Sequence, residues 1–168
     1  TILFGKDIPP FGGDTTWANC ALAYDFLSDT MKKTLSKLRI HMSARTVLAE
    51  VKKGAEKFGE KSLGGTPLQF DSEPMIAGAK HPVIRTHPET GEKAIYADDA
   101  YSVSIDGMTE VETDTILTFL RRHVTQPAFT CRLRWDHTLW LFGITGSACT
   151  MRSTTMTGSA ARCTARRC

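Results

Sequence analysis

No aspartate or glutamate occurs in the last twenty-six residues, Gly143 to Cys168. All eighteen acids of the 168-residue chain lie before that point, where they face seventeen lysines and arginines, so the body carries −1 and the +3 of the whole chain comes from its tail. The tail holds four Arg, three Cys, six Thr and three Ser. No helical or strand-like apolar period runs through it, which predicts an irregular or disordered tail rather than an element of the core. The chain also lacks an apolar run near the ~20 residues that cross a bilayer, and its N-terminus lacks the basic, apolar, small-residue order of a secretory signal. A cytoplasmic protein with no membrane partner is the expectation. Finally there is no CxxC pair: Cys20 and Cys131 stand singly in the body and Cys149, Cys163 and Cys168 in the tail. That argues against a disulfide framework.

What is present has the size and mixture of one soluble globular domain, with 41% hydrophobic and 23% charged residues. The chain opens on the strand-like Ile2-Leu3-Phe4 with no turn or cap ahead of it, as though an element before it were missing. A Pro9-Pro10-Phe11-Gly12-Gly13 loop follows. Asp14, Thr15 and Thr16 are placed to cap a helix whose apolar face is Trp17, Cys20, Ala21, Tyr24 and Leu27. A second helix is expected from Asp29 to about His41, with Met31, Leu35 and Leu38 at helical spacing, and a third from Thr46 to Phe58. The Lys52, Lys53 and Lys57 cluster, interleaved with acids, predicts a solvated helix face. Gly59 to Lys80 is rich in Gly, Pro, Ser and charge and predicts a long surface loop.

Strand periodicity begins at His81. His81 to Arg85, the turn Pro88-Glu89-Thr90-Gly91, and Lys93 to Tyr96 predict a β-hairpin. Tyr101 to Ile105 predicts a further strand, and Thr130 to Trp135 another. Between them, Thr109 with Glu112 forms a capping box for a helix reaching about Val124, buried through Ile116, Leu117 and Leu120. Short helices and strands in this order predict an α+β fold with an antiparallel core.

Three blocks carry a resemblance: Gly12-Gly13-Asp14-Thr15 with Trp17-Ala18-Asn19; His81-Pro82-Val83-Ile84-Arg85-Thr86-His87-Pro88-Glu89-Thr90-Gly91; and Phe129-Thr130-Cys131-Arg132-Leu133-Arg134-Trp135. In that order they are similar to the taurine catabolism dioxygenase (TauD/TfdA) family, over roughly Thr1 to Trp135. The resemblance implies a double-stranded β-helix, or jelly-roll, core, here partial and with flanking helices, and Fe(II)- and 2-oxoglutarate-dependent hydroxylation of a small sulfonate such as taurine, or of a sulfate ester. It implies that Thr15 meets 2-oxoglutarate and that Tyr101 lines the substrate pocket. It also implies iron held by a His-x-Asp pair and a distant His, with a guanidinium clamping the co-substrate's carboxylate. This sequence contains no His-x-Asp, since that motif lies upstream of the family's strand matching Ile2-Leu3-Phe4. The distal W-D-N-R, its following His and the later R-R-x-M-H-R are not written after Trp135 either.

Those distal motifs return if the tail is read one base out of frame, each recovered codon taking the third base of one residue and the first two of the next. Phe142-Gly143 then permits TGG, Gly143-Ile144 GAT, Ile144-Thr145 AAC and Thr145-Gly146 CGG, spelling W-D-N-R. Cys149-Thr150 permits CAC for His, Met151-Arg152 permits GCG for Ala, and Met156-Thr157 forces GAC for Asp. Upstream, the same frame permits H-S-V-A-I, which locates the slip between Trp135 and Thr138. The iron-binding His would fall at Thr150, and the two arginines that anchor co-substrate and substrate at Ala161 and Ala165. Thr and Ala supply neither imidazole nor a charged fork.

Each sharp reading has a plainer rival. Thr15 could be only a helix N-cap, and Tyr101 only a core aromatic on an alternating strand. His87-Pro88-Glu89 has the His-x-acid spacing of an iron site but sits in a turn of a hairpin. His41, His123 and His137 have no carboxylate at ligand spacing and read as surface or interface histidines. The tail's cysteines match no zinc spacing, and its arginines have no interleaved aromatics, so no nucleic-acid partner is expected. The expectation is therefore residues 1–142 as a partial dioxygenase domain and residues 143–168 as a non-native tail, with no intact catalytic or metal residues and with neither Fe(II) nor 2-oxoglutarate bound by this chain. A homo-oligomer is compatible with the sequence. The rival from another class is a non-catalytic binding or scaffold remnant of the same fold.

Overall fold

The computed structural model describes residues 2–5, 8, 11–58, 73–98, 100–137, 139–142 and 148–152. In chain order the elements are β1 (Ile2–Phe4), β2 (Thr15–Asn19), α1 (Cys20–Asp25), α2 (Asp29–Leu35), β3 (Arg39–Met42), α3 (Arg45–Phe58), α4 (Glu73–Ala77), β4 (Ala79–Pro82), β5 (Ile84–Thr86), β6 (Lys93–Ile95), β7 (Ser102–Ile105), α5 (Glu110–Val124), β8 (Thr130–Leu133), β9 (Trp140–Phe142) and β10 (Ala148–Arg152). Helices and antiparallel strands are mixed, as an α+β fold requires. The described strands form four separate sheets, ordered β1-β9, β10-β2-β8, β4-β3-β7 and β5-β6. The chain divides into two compact units, one of residues 1–33, 84–96 and 122–168, the other of residues 34–83 and 97–121. No described helix is long and apolar enough to cross a membrane.

In the first unit β2 is the central strand of its sheet. Thr15 stands opposite Leu133 and Arg152, and Trp17 opposite Cys131 and Thr150. This corrects the expected helix from Asp14. Thr, Thr and Trp are better accommodated on a pleated surface than in a helix, and pairing on both sides stabilises them there. The helix begins only at Cys20, where Asn19 Oδ1 accepts from Leu22 N–H at 2.9 Å in the manner of an N-cap. Cys20, Ala23 and Leu27 are buried, whereas Trp17 is only half-buried. Strand β10 corrects a second expectation, because residues 148–152 of the tail are an ordered strand on the free edge of β2. Strand β9, where no pattern was legible, pairs with β1, and Phe4 and Trp140 meet ring to ring at 4.5 Å. The remaining tail positions, 143–147 and 153–168, lie outside the described residues, as do Pro9, Pro10 and residues 59–72 of the expected loop.

The hairpin is β5-β6, with Ile84 opposite Ile95 and Thr86 opposite Lys93. His81 and Pro82 do not belong to it. They end β4, which pairs with β3 in the second unit. There β3 lies between β4 and β7, with Ile40 facing His81 on one side and Ile105 on the other. The expected second helix therefore stops at Leu35: Lys37 and Leu38 close its last turn onto Thr34 O and Leu35 O, and Arg39 to Met42 are drawn into the ladder. Part of the expected surface loop is likewise ordered, as α4 and β4. Helix α4 is held by its last carbonyls, which accept from Ala44 N–H, Ser43 Oγ and His41 Nε2. Gly78 then turns the chain at φ 71°, where a Cβ would lie 2.1 Å from Met42 O. Only glycine fits there.

Helix α3 forms nearly as expected, and Lys52 and Lys53 are exposed on it, Lys53 paired with Glu50 at 2.9 Å. Helix α5 follows its sequence most closely. Thr109 N–H and Oγ each donate to Glu112 Oε2 at 2.8 Å, and Glu112 N–H returns to Thr109 Oγ at 3.4 Å. Thr113, Leu117, Leu120 and Val124 form the buried stripe, with Ile116 half-buried beside it. The Thr109 backbone bond, and after it the Thr109 hydroxyl, hold the Glu112 carboxyl below its usual range. A carboxyl lowered by folding adds stability above its unfolded pKa and loses it as pH falls through the folded value. Glu112→Gln is expected to lower the urea midpoint near neutral pH by a small amount that vanishes on acidification, measured as the wild-type minus variant difference across pH.

Candidate functional site

The residues singled out by sequence separate into two surroundings. Thr15 opens β2 in the first unit, and Tyr101 precedes β7 in the second. Thr15 is not a helix cap. Its Oγ1 accepts from Trp135 Nε1 at 2.9 Å, across 120 residues of sequence, and the hydroxyl's own hydrogen has no acceptor among the described residues. Alternation along β2 puts Thr15, Trp17 and Asn19 on one face. The register extends that face to Leu133 and Cys131 on β8, and to positions 152, 150 and 148 on β10. Position 150, where the shifted frame spells His, is therefore a diagonal neighbour of Thr15.

The opposite parity belongs to Thr16 and Arg132. Arg132 Nε donates to Asp14 Oδ2 at 2.6 Å, and both side chains are largely shielded, 31% and 12% exposed. This pair, 118 residues apart in sequence, ties the turn before β2 to β8 and so steadies Thr15. Sequence reasoning missed it, as it missed the Trp135 contact and the placement of Trp17 beside Thr15. Alternation in Thr15-Thr16-Trp17-Ala18-Asn19 was the available signal, overshadowed by the helical spacing that Trp17 shares with Cys20 and Tyr24.

Tyr101 is neither buried nor within the strand. It is 38% exposed, in a turn where Asp98 Oδ1 accepts from the N–H of Ala100 and of Tyr101, at 2.8 and 2.7 Å. The core reading of Tyr101 is thereby corrected. His87 is used by its own hairpin: Nδ1 accepts from Glu89 N–H and Thr90 N–H at 3.3 Å each, and Gly91 completes the turn at φ 73°. His41 Nε2 donates to Ala77 O at 2.7 Å and His123 Nε2 to Ala23 O at 2.8 Å.

No group of three or more His, Cys, Asp and Glu that could hold a metal ion is assembled among the described residues. The donor set on the Thr15 face, a hydroxyl and indole N–H groups, does not fit Fe(II), which takes imidazole and carboxylate. It does fit a carboxylate, which accepts such donors. Ala161 and Ala165 lie outside the described residues.

The taurine catabolism dioxygenase TauD, TfdA family model matches residues 1–137, and the chain belongs to that family. An alpha-ketoglutarate-dependent dioxygenase of Penicillium expansum is 34% identical over 76% of this chain and 33% of its own length. An alpha-ketoglutarate-dependent sulfate ester dioxygenase of Pseudomonas putida is 30% identical over 81% of this chain and 43% of its own length. The crystal structure of a taurine dioxygenase from Burkholderia xenovorans superposes with a TM-score of 0.59 at 31% identity, covering 81% of this chain and 39% of that one. The chain thus spans 33% to 43% of the length of these relatives.

Proposed function

We propose that this chain derives from an Fe(II)- and 2-oxoglutarate-dependent dioxygenase with a jelly-roll core, one that hydroxylates carbon beside a sulfonate or sulfate ester and releases sulfite or sulfate with succinate and CO2. The 168 residues as written do not themselves catalyse it. Family membership carries the first statement, and the names of relatives acting on sulfate esters and taurine support the substrate class. The donor set carries the second, because Thr150 stands where the shifted frame spells the iron-binding His and no group of three or more His, Cys, Asp and Glu that could hold a metal is assembled among the described residues.

Two independent observations support the frame reading. The family match ends at residue 137, inside the Trp135 to Thr138 interval where the slip was located from codons. Position 150 also shares the face of Thr15, as a His acting beside the co-substrate would have to. Thr15 is the residue assigned to 2-oxoglutarate, Tyr101 that assigned to substrate, and the chain beyond the slip, residues 143–168 included, is out of frame. Resequencing the DNA tests this: an inserted or deleted base between the codons for Trp135 and Thr138 is expected, and third bases incompatible with the recovered codons would remove the reading. Turnover of 2-oxoglutarate by the chain itself tests the loss of catalysis.

A further inference from the structure

Trp17 Nε1 is buried and has no hydrogen-bond partner among the described residues. Interior N–H groups are nearly always paired, because a desolvated donor without an acceptor is costly. Trp17 lies two residues from Thr15 on the same face of β2, roughly 7 Å along the strand. Thr15 Oγ1 is already an acceptor, from Trp135, so its hydrogen remains to be given. Two uncharged donors on one face of the strand suit a group presenting more than one acceptor oxygen. Arg132 does not compete for such a group, being on the other face and paired with Asp14.

We infer that Trp17 is a ligand-binding residue whose indole N–H donates to a carboxylate held at the Thr15 hydroxyl. The inference rests on the reading of Thr15 as the hydroxyl that meets 2-oxoglutarate, which names the anion to try. It concerns weak binding of the anion alone, without iron and without turnover, and departs in that one respect from the expectation that this chain holds no 2-oxoglutarate.

The test is a titration of the full-length, 15N-labelled chain with 2-oxoglutarate, followed on the indole N–H resonances of Trp17, Trp135 and Trp140. Trp17→Phe, which keeps an aromatic ring but removes the donor, assigns the Trp17 signal by its loss. A saturable downfield shift of that signal is expected with 2-oxoglutarate and not with sodium chloride. In Trp17→Phe, affinity read on the Trp135 resonance should fall about tenfold, the usual effect of removing a hydrogen bond to a charged acceptor. A Trp17 signal that stays in place throughout, or a Trp17→Phe chain that binds like wild type, overturns the inference. Thr15→Val separates the two readings: unchanged affinity with a persisting Trp17 shift would remove the Thr15 assignment and leave Trp17 standing. If Trp17→Phe does not fold, judged by the two remaining indole signals, Trp135→Phe and Trp140→Phe assign the Trp17 signal by elimination and the wild-type titration decides.

Discussion

Incubation of the chain with Fe(II), 2-oxoglutarate and taurine is expected to produce succinate no faster than the enzyme-free mixture, where an active enzyme would exceed it by ~10⁶-fold or more. The reason is the inventory of ligands. A facial triad needs two imidazoles and a carboxylate converging on one ion, but no group of three or more His, Cys, Asp and Glu that could hold one is assembled among the described residues. Three of the five histidines are engaged elsewhere: His41 and His123 donate to backbone carbonyls, and His87 organises its own turn. Position 150 has the right parity relative to Thr15 but carries a hydroxyl. Thr150→His would supply one imidazole of the three groups required, so it too should leave the rate at background. Stoichiometric succinate from wild type, in a sample shown by circular dichroism to unfold cooperatively, would sink this expectation. A chain that folds, stays silent and binds a partner protein would instead favour the scaffold-remnant reading.

Ile40→Ala is expected to cost about 2–5 kcal/mol of stability, enough to unfold much of the population if total stability is near the low end of the usual ~5–15 kcal/mol. Ile40 is fully buried in the central strand of the β4-β3-β7 sheet, directly across from the equally buried Ile105. Truncation removes apolar burial and leaves a cavity that paired strands on both sides prevent from closing. Ile40→Val, which deletes one methylene and keeps the β-branch, should cost only about 0.5–1.5 kcal/mol. Guanidinium unfolding of the three chains measures both, and a change below 1 kcal/mol for Ile40→Ala, about half the low end of that range, would show that the strand can collapse around the loss.

Legibility followed the distance over which each interaction acts. The capping box of α5 was readable because Thr109 and Glu112 are three residues apart and the buried stripe repeats within the same helix. The Pro88 to Gly91 turn was readable for the same reason. What failed were segments whose state is settled by partners far along the chain. Thr15 to Asn19 has a plausible helical stripe, yet pairing with residues 130–133 and 148–152 makes it a strand. Arg39 to His41 fall within the helix expected from Asp29, yet the ladder between β4 and β7 claims them. His81 and Pro82 precede a good hairpin, yet pair with β3 instead.

By itself the amino-acid sequence determined the family, through three ordered blocks of side chains, and it exposed the anomaly of the tail, which holds no acid and no apolar period. Tertiary structure alone decided that position 150 shares a face with Thr15, that the Thr15 hydroxyl is held by Trp135, and that the Trp17 N–H on that face has no partner among the described residues. Face parity and hydrogen-bond satisfaction depend on strand register, and register is set by pairing between segments more than a hundred residues apart, where no local pattern can specify it.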